Sequence, residues 1–200
     1  MERSSAAGIE ASEDVRRCHP PAPHSAVPFE AHSEFFKMNK IEENFMAWLH
    51  NAHAMEEQAV TMLTSLASRT RDYPEVKTRV ESHLAETRRQ IEALEECIKR
   101  RGGETSTLKD VAAKIVALGQ GISGMFVEDE IVKGAMASYT FEHMEAAAYR
   151  ALIAAAEAVG DTQTKAVCER ILQEELAMAS DLERQLPILT REYLNRLSTY

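Results

Sequence analysis

The feature that most constrains the fold is a set of four glutamates at matched spacing along the chain: Glu56, Glu86, Glu145 and Glu175. The first two are thirty residues apart, and so are the last two. A turn signal lies midway in each interval, one containing Pro74 and the other Gly160. Because a helix rises about 1.5 Å per residue, two helices that fold back at the midpoint bring each glutamate level with its partner. The spacing therefore predicts one helical hairpin made twice, each with two facing carboxylates.

Four carboxylates in one bundle core repel each other unless something neutralises them. Burying a carboxylate costs several kcal/mol unless it is paired or bound to a metal. A pair of divalent metal ions is the usual solution in helical bundles. Two alternatives remain open from the spacing alone: arginines or lysines pair with the acids, or the helical phase differs by one residue and the glutamates face solvent.

The composition favours helix and excludes several classes of protein. The chain has 200 residues with only eight glycines and six prolines, which suits one helical domain and a tail. A net charge of −9 argues against nucleic acid as a partner. No run of 18 apolar residues is present, so we expect no membrane span, and the first residues lack the apolar core of a secretory signal. The three cysteines, Cys18, Cys97 and Cys168, fit no disulfide or zinc framework, which predicts reduced thiols in a cytoplasmic protein.

The positions of turn and helix-breaking residues along the chain predict an all-α fold, a ferritin-like four-helix bundle. Residues 1–39, rich in proline, are expected to form a disordered or loosely docked tail, and residues 40–200 the bundle domain. The four long helices are expected at about residues 40–68, 74–101, 127–159 and 161–186, with Pro187 ending or kinking the last. A crossover of roughly twenty residues, with a short helix at residues 108–118, is expected between the second and third helices, as in bundles whose two hairpins are joined by one long connection.

Histidines and a further glutamate extend the set of candidate metal ligands. His53 and His83 each precede one of the glutamates by three residues, which places them on the same helix face. Glu142 lies three residues before Glu145. The predicted metal-binding residues are Glu56, Glu86, Glu142, Glu145, Glu175, His53 and His83.

Four short stretches resemble the YciE/YciF-type ferritin-like proteins of bacteria: residues 49–58, 83–87, 141–145 and 174–177. The resemblance covers about residues 40–186. It implies a ferritin-like bundle, often a homodimer, with a dinuclear metal centre and an association with stress responses. Carried over to this chain, the carboxylate positions correspond to Glu56, Glu86, Glu142 or Glu145, and Glu175.

One departure bears on the chemistry of the predicted centre. Ferritin-like sites commonly carry a Glu-x-x-His motif on two helices, but Arg89 and Met178 stand three residues after Glu86 and Glu175. The site is therefore expected to be rich in carboxylates, which suit iron or manganese and also magnesium or calcium. The leading hypothesis is a protein that binds two iron or manganese ions per chain and oxidises Fe(II) with oxygen or peroxide. The alternative is a non-enzymatic stress or assembly module whose core acids are salt-bridged.

Overall fold

The chain folds into four long helices, and a computed structural model describes residues 29–103 and 131–198. In chain order the helices are α1 (Phe29–Arg69), α2 (Pro74–Arg100), α3 (Ile131–Ala158) and α4 (Thr162–Leu197). Each helix packs against two neighbours: α1 against α2 and α3, and α4 against α3 and α2. Two hairpins, α1–α2 and α3–α4, thus lie side by side as a ferritin-like bundle, which confirms the predicted fold class. The predicted short helix at residues 108–118, and the crossover from residue 104 onwards, lie outside the described residues.

Two helix boundaries differ from the prediction. Helix α1 begins at Phe29, eleven residues before the expected start at residue 40, so the end of the predicted tail belongs to this helix. Helix α4 continues through Pro187 to Leu197. The turns after Pro187 are held by tertiary packing, because Leu189 is fully buried beside Tyr73 and Val76 of the first hairpin. Burial of this apolar side chain offsets the hydrogen bond that the proline cannot donate.

Glycine ends α2 and α3 in the same way. Gly102 and Gly160 follow the two helices with φ of 77° and 72°, a region that glycine adopts without a steric penalty. After α3, the N–H of Asp161 bonds back to the carbonyl of Ala156 over 2.8 Å, the pattern of a Schellman motif. Asp161 then caps α4, because its side chain accepts a hydrogen bond from the backbone N–H of Thr164 over 3.0 Å. The short link between α3 and α4 is therefore specified residue by residue.

The buried residues of all four helices recur at alternating intervals of four and three, the spacing of a coiled-coil seam. On α2 this seam consists of Val76, Val80, His83, Thr87, Gln90, Leu94 and Cys97. On α3 it consists of Ile131, Ala135, Ser138, Glu142, Glu145, Tyr149, Leu152 and Ala156. Glu56 and Glu175 occupy seam positions on α1 and α4. The polar seam residues of α2 and α4 lie between two apolar clusters of the core, so the bundle contains a polar layer near its middle.

Two further predictions concern cysteines and membranes. Cys97 and Cys168 are buried free thiols that pack as small apolar side chains in the core. Burial raises the pKa of the Cys168 thiol to about 12, which keeps it protonated. Within residues 29–103 and 131–198, no helix has both the length and the apolar character needed to cross a membrane.

Candidate metal centre

The polar layer brings together one side chain from each of α1, α2 and α4 and two from α3. These are Glu56, His83, Glu142, Glu145 and Glu175, and none is more than 2% exposed. The seam explains the convergence, because a residue at a seam position of any helix points to the bundle axis. Five of the seven residues predicted from the sequence therefore lie in one buried cluster.

His83 lies at the centre of the tightest part of this cluster. Its Nε2 atom is 3.1 Å from Oε2 of Glu142 and 3.4 Å from Oε2 of Glu175. One donor atom from each of these three residues lies within 4.8 Å of the other two, close enough to hold a single metal ion. Neither contact has the geometry of a hydrogen bond, so the three donor atoms meet without satisfying one another.

Several buried atoms of the cluster have no hydrogen-bond partner. Both carboxylate oxygens of Glu145 are unpartnered, as are Oε2 of Glu142, Oε2 of Glu175 and Nε2 of His83. Buried polar atoms are almost always paired, and leaving one unpaired costs about 1–3 kcal/mol. The unpartnered atoms are carboxylate oxygens and an imidazole nitrogen, which are the ligands that iron and manganese take in proteins. The residues present therefore fit a metal centre.

Burial and the repulsion of neighbouring carboxylates raise the pKa of Glu56, Glu142 and Glu145 in the metal-free protein. Desolvation raises the pKa of Glu145 and Glu56 well above the ordinary value, and the carboxylate of Glu175 adds to the effect. Desolvation likewise raises the pKa of Glu142 to about 7. For His83 desolvation acts to lower the pKa, but the carboxylates of Glu142 and Glu175 outweigh it and raise the pKa to about 11. The metal-free layer therefore holds one imidazolium and a set of shared protons.

Tyr149 fixes the orientation of Glu56. Its buried hydroxyl donates a short hydrogen bond to Oε1 of Glu56, which connects α3 to α1 across the layer. Burial, followed by the charge of Glu56, raises the pKa of Tyr149 well above its usual value, so the hydroxyl keeps its proton.

Glu86 lies beside the cluster rather than in it. Its side chain is 22% exposed and accepts hydrogen bonds from Arg79 over 3.2 Å and from Nδ1 of His83 over 2.8 Å. Burial opposes ionisation, but these contacts with His83 and Arg79 lower the pKa of Glu86. The seam of α2 runs through His83 and Thr87, so Glu86 is rotated by about one residue, or 100°, from the bundle axis. The expected pair of facing carboxylates in the first hairpin is therefore replaced by Glu56 facing His83.

His53 is buried but directed to the α1–α2 contact. Its Nε2 atom lies 3.4 Å from Oε1 of Glu95, and its Nδ1 atom lies 3.9 Å from Oε2 of Glu57. Neither partner belongs to the central cluster. His53 therefore lies on the same helix as Glu56, but its contacts are with Glu57 and Glu95 outside the cluster.

Two features around the cluster had no place in the predicted ligand set. Gln90 is 1% exposed and donates a hydrogen bond to Oε1 of Glu175 over 2.6 Å. Arg79 connects Glu86 to Asp181 of α4, contacting Oδ2 of Asp181 over 2.5 Å. The four-three spacing of the α2 seam is the sequence signal that identifies Gln90, whereas the Arg79–Asp181 contact joins residues 102 positions apart and leaves no local signal.

Comparison with known proteins identifies the family. Residues 40–195 match the model of a protein family described as a domain of unknown function, DUF892. The chain belongs to this family. The match covers most of the chain and the whole predicted bundle up to residue 195.

Solved structures agree with this assignment. A protein from Xanthomonas campestris pv. campestris is 34% identical, with a TM-score of 0.66, and the alignment covers 79% of this chain and 99% of that one. A putative structural protein, YcfI, from Rhodopseudomonas palustris is 23% identical, with a TM-score of 0.57 and coverage of 72% and 92%. The E. coli stress protein YciF is 21% identical, with a TM-score of 0.58 and coverage of 76% and 97%. The resemblance to the YciE/YciF-type proteins is thereby confirmed, and the last two structures support the fold.

Proposed function

We propose that this DUF892 protein binds two iron or manganese ions per chain in the polar layer. The observation that supports the proposal most directly is Glu145, a fully buried glutamate with both carboxylate oxygens unpartnered. Such a residue costs stability in the metal-free bundle and has no structural partner there. Four carboxylates, from Glu56, Glu142, Glu145 and Glu175, would balance the charge of two divalent ions.

The positions of the donor atoms suggest which residues would bind each ion. His83, Glu142 and Glu175 already hold three donor atoms within 4.8 Å of one another and would hold one ion. Glu56 and Glu145 would hold the second ion. Tyr149 would keep Glu56 in its position, and Glu86 would hold the Nδ1 side of His83, leaving Nε2 for the ion.

We infer oxidation of Fe(II) by oxygen or peroxide as the chemistry of this site, in the context of a stress response. An iron pair bound by carboxylates supplies the electrons for such a reaction. The residues of the chain would bind the ions, exclude bulk water through the two flanking apolar clusters, and accept or release the protons now held on Glu142 and Glu145. The stress protein YciF, which shares the fold, supports the context.

Metal analysis tests the proposal directly. Protein that has been stripped with a chelator and loaded anaerobically with Fe(II) is expected to retain close to two ions per chain. The Glu145→Gln, Glu175→Gln double variant is expected to retain fewer than one, whereas the exposed Glu183→Gln control is expected to retain two. Absorbance of Fe(III) after addition of oxygen or peroxide reports the oxidation. Equal iron content in the double variant and the wild type would exclude this site.

A second candidate, a non-enzymatic helical module with neutralised core acids, is favoured by one observation. His83 lies between Glu142 and Glu175 at ion-pair distances and remains protonated in the metal-free protein. One imidazolium leaves Glu56 and Glu145 without a cation. In this module every buried acid contributes to stability, so replacement of Glu145 would destabilise the metal-free bundle.

We also propose that the protein is a homodimer. Helix α1 exposes three apolar side chains at helical spacing, Met38 at 65%, Ile41 at 49% and Trp48 at 45%. Tryptophan and methionine are enriched in protein interfaces, and burial of this face against a second copy would remove it from water.

A further inference from the structure

A charged groove of about 350 Å³ lies between α2 and α4 on the outside of the polar layer. The packing of α2 against α4 is less extensive than that of α1 against α2, α1 against α3 or α3 against α4. Three glutamates line the groove, together with Arg89 and Arg170: Glu92, Glu96 and Glu174. Its innermost lining residue is Gln90, which is 1% exposed.

Gln90 links the groove to the buried cluster through one nitrogen atom. Its Nε2 donates to Oε2 of Glu174 over 2.7 Å and to Oε1 of Glu175 over 2.6 Å. Glu174 belongs to the groove, and Glu175 belongs to the cluster. The carbonyl oxygen of the same amide is buried and has no hydrogen-bond partner. A single neutral side chain therefore separates a surface carboxylate from a buried one.

The other polar connection between the cluster and the surface carries a positive charge. It passes from His83 through Glu86 to Arg79, whose guanidinium also contacts Asp181. A cation that approached along this side would meet the guanidinium of Arg79, which repels it. The α2–α4 groove also contains two guanidiniums, but its three carboxylates outnumber them, and the residue between the groove and the cluster, Gln90, is neutral.

We propose that divalent cations reach the buried carboxylates through the α2–α4 groove, with Gln90 as the gate. This inference rests on the proposed metal-binding function. Glu174 would receive the ion, and rotation of the Gln90 side chain would release Glu175 to bind it. The unpartnered carbonyl oxygen of Gln90 would offer the ion an oxygen ligand during the passage, because oxygen ligands replace water on hard cations.

Blocking the groove tests the route without touching a proposed ligand. Ala93 lines the groove, and Ala147 is exposed on α3 outside it. Each is replaced by cysteine in a Cys18→Ser background, in which Cys97 and Cys168 stay buried, and is then labelled with a bulky maleimide. Binding of Co²⁺ to the metal-free full chain is followed by stopped-flow absorbance and by equilibrium titration. We expect the label at position 93 to slow binding about tenfold and the label at position 147 to have no effect, with equal final stoichiometry.

Two substitutions test the roles of the charge and the gate. Glu174→Gln is expected to slow Co²⁺ binding by about threefold or more, because a carboxylate at the mouth of a cleft raises the local cation concentration. The control is Glu183→Gln, which makes the same change in net charge on an exposed part of α4. Gln90→Met is expected to raise the rates of binding and release together, an effect that a purely structural role would not produce.

The outcomes separate the route from the site. Normal stoichiometry with unchanged rates in both the Ala93 label and Glu174→Gln would overturn the route and leave the metal site in place. Absence of Co²⁺ binding by the unmodified wild-type chain would overturn the proposed function and the route with it. Slower binding at unchanged stoichiometry supports the route.

Discussion

At the scale of single residues, the metal-free polar layer is stabilised by protonation of its buried glutamates. Glu56, Glu142 and Glu145 all have a raised pKa in the folded chain, with desolvation as the largest cause. An acid whose pKa is raised by folding binds its proton more tightly in the folded state than in the unfolded chain. Its contribution to stability is present below the ordinary pKa of 4.5 and is lost as the pH rises through the folded pKa, which for Glu142 is about 7.

The first prediction concerns Glu145→Gln in the metal-free protein. Glutamine keeps the shape of a protonated glutamate and cannot ionise, so the variant is expected to match the wild type at pH 5. At pH 8 it is expected to be more stable by about 1 kcal/mol or more, since each unit of pKa shift is worth about 1.4 kcal/mol. Urea denaturation at both pH values, in the presence of a chelator, measures the difference. A destabilised variant at pH 8 would favour the salt-bridged module over the metal site.

Glu86→Gln is predicted to have the opposite effect on stability: it should lower the free energy of unfolding. Glu86 is ionised and accepts hydrogen bonds from Arg79 and His83, so its replacement removes charge-assisted contacts at the edge of the layer. We expect a loss of about 1 kcal/mol in the free energy of unfolding at pH 7, because the side chain is partly exposed and solvent weakens the pair. Glu81→Gln, which affects only the exposed pair with Lys77, is the matched control. Stabilisation by Glu86→Gln would place this residue among the repelling acids.

At the scale of helices, Asp161 joins the two hairpins at one end of the bundle. It caps α4 through Thr164 and pairs with Arg100 and Arg101 at the end of α2, over 2.9 Å and 2.8 Å. Burial opposes its ionisation, but the hydrogen bonds from Thr164 and the two arginines lower its pKa. One buried carboxylate thus stabilises a helix start and a contact between hairpins.

The third prediction separates these two roles of Asp161. Asp161→Ala removes the cap and the ion pairs together, and we expect a loss of about 2–4 kcal/mol, from a cap worth about 1 kcal/mol and ion pairs to arginines that are partly exposed to solvent. Asp161→Asn keeps an oxygen for Thr164 but not the charge, so it is expected to lose roughly half as much. Chemical denaturation of both variants measures the two contributions. Equal losses would show that the cap contributes nothing.

At the scale of the whole molecule, the exposed face of α1 leads to the fourth prediction. Trp48→Lys places a charge in the proposed dimer interface, where it would have to be desolvated, and is expected to halve the mass measured by light scattering. Met136→Lys on α3, at the same 45% exposure as Trp48, is the control and is expected to leave the mass unchanged. A wild-type chain that is monomeric at tens of micromolar would contradict the homodimer.

The packing of the whole molecule also explains how much of the site was predictable. Four of the five predicted glutamates lie at seam positions of their helices, and these four are buried in the layer. The distance of Glu86 from Glu56 along the chain predicts its height in the hairpin but not its rotation about the helix axis. The rotation follows from the seam through His83, Thr87 and Gln90, and that seam is visible in the sequence once its spacing is counted in fours and threes.

The sequence by itself determined the four helices, the glycines that end two of them, and the level at which acids occur in the bundle. These properties are local, because they depend on helix propensity, turn residues and the constant rise of a helix. Only the tertiary structure decided that α4 continues past Pro187, that Arg79 pairs with Asp181, and that Gln90 connects two carboxylates of α4. Each of these depends on which helices become neighbours, and a contact between residues some 85 to 100 positions apart along the chain is fixed by packing rather than by any local pattern.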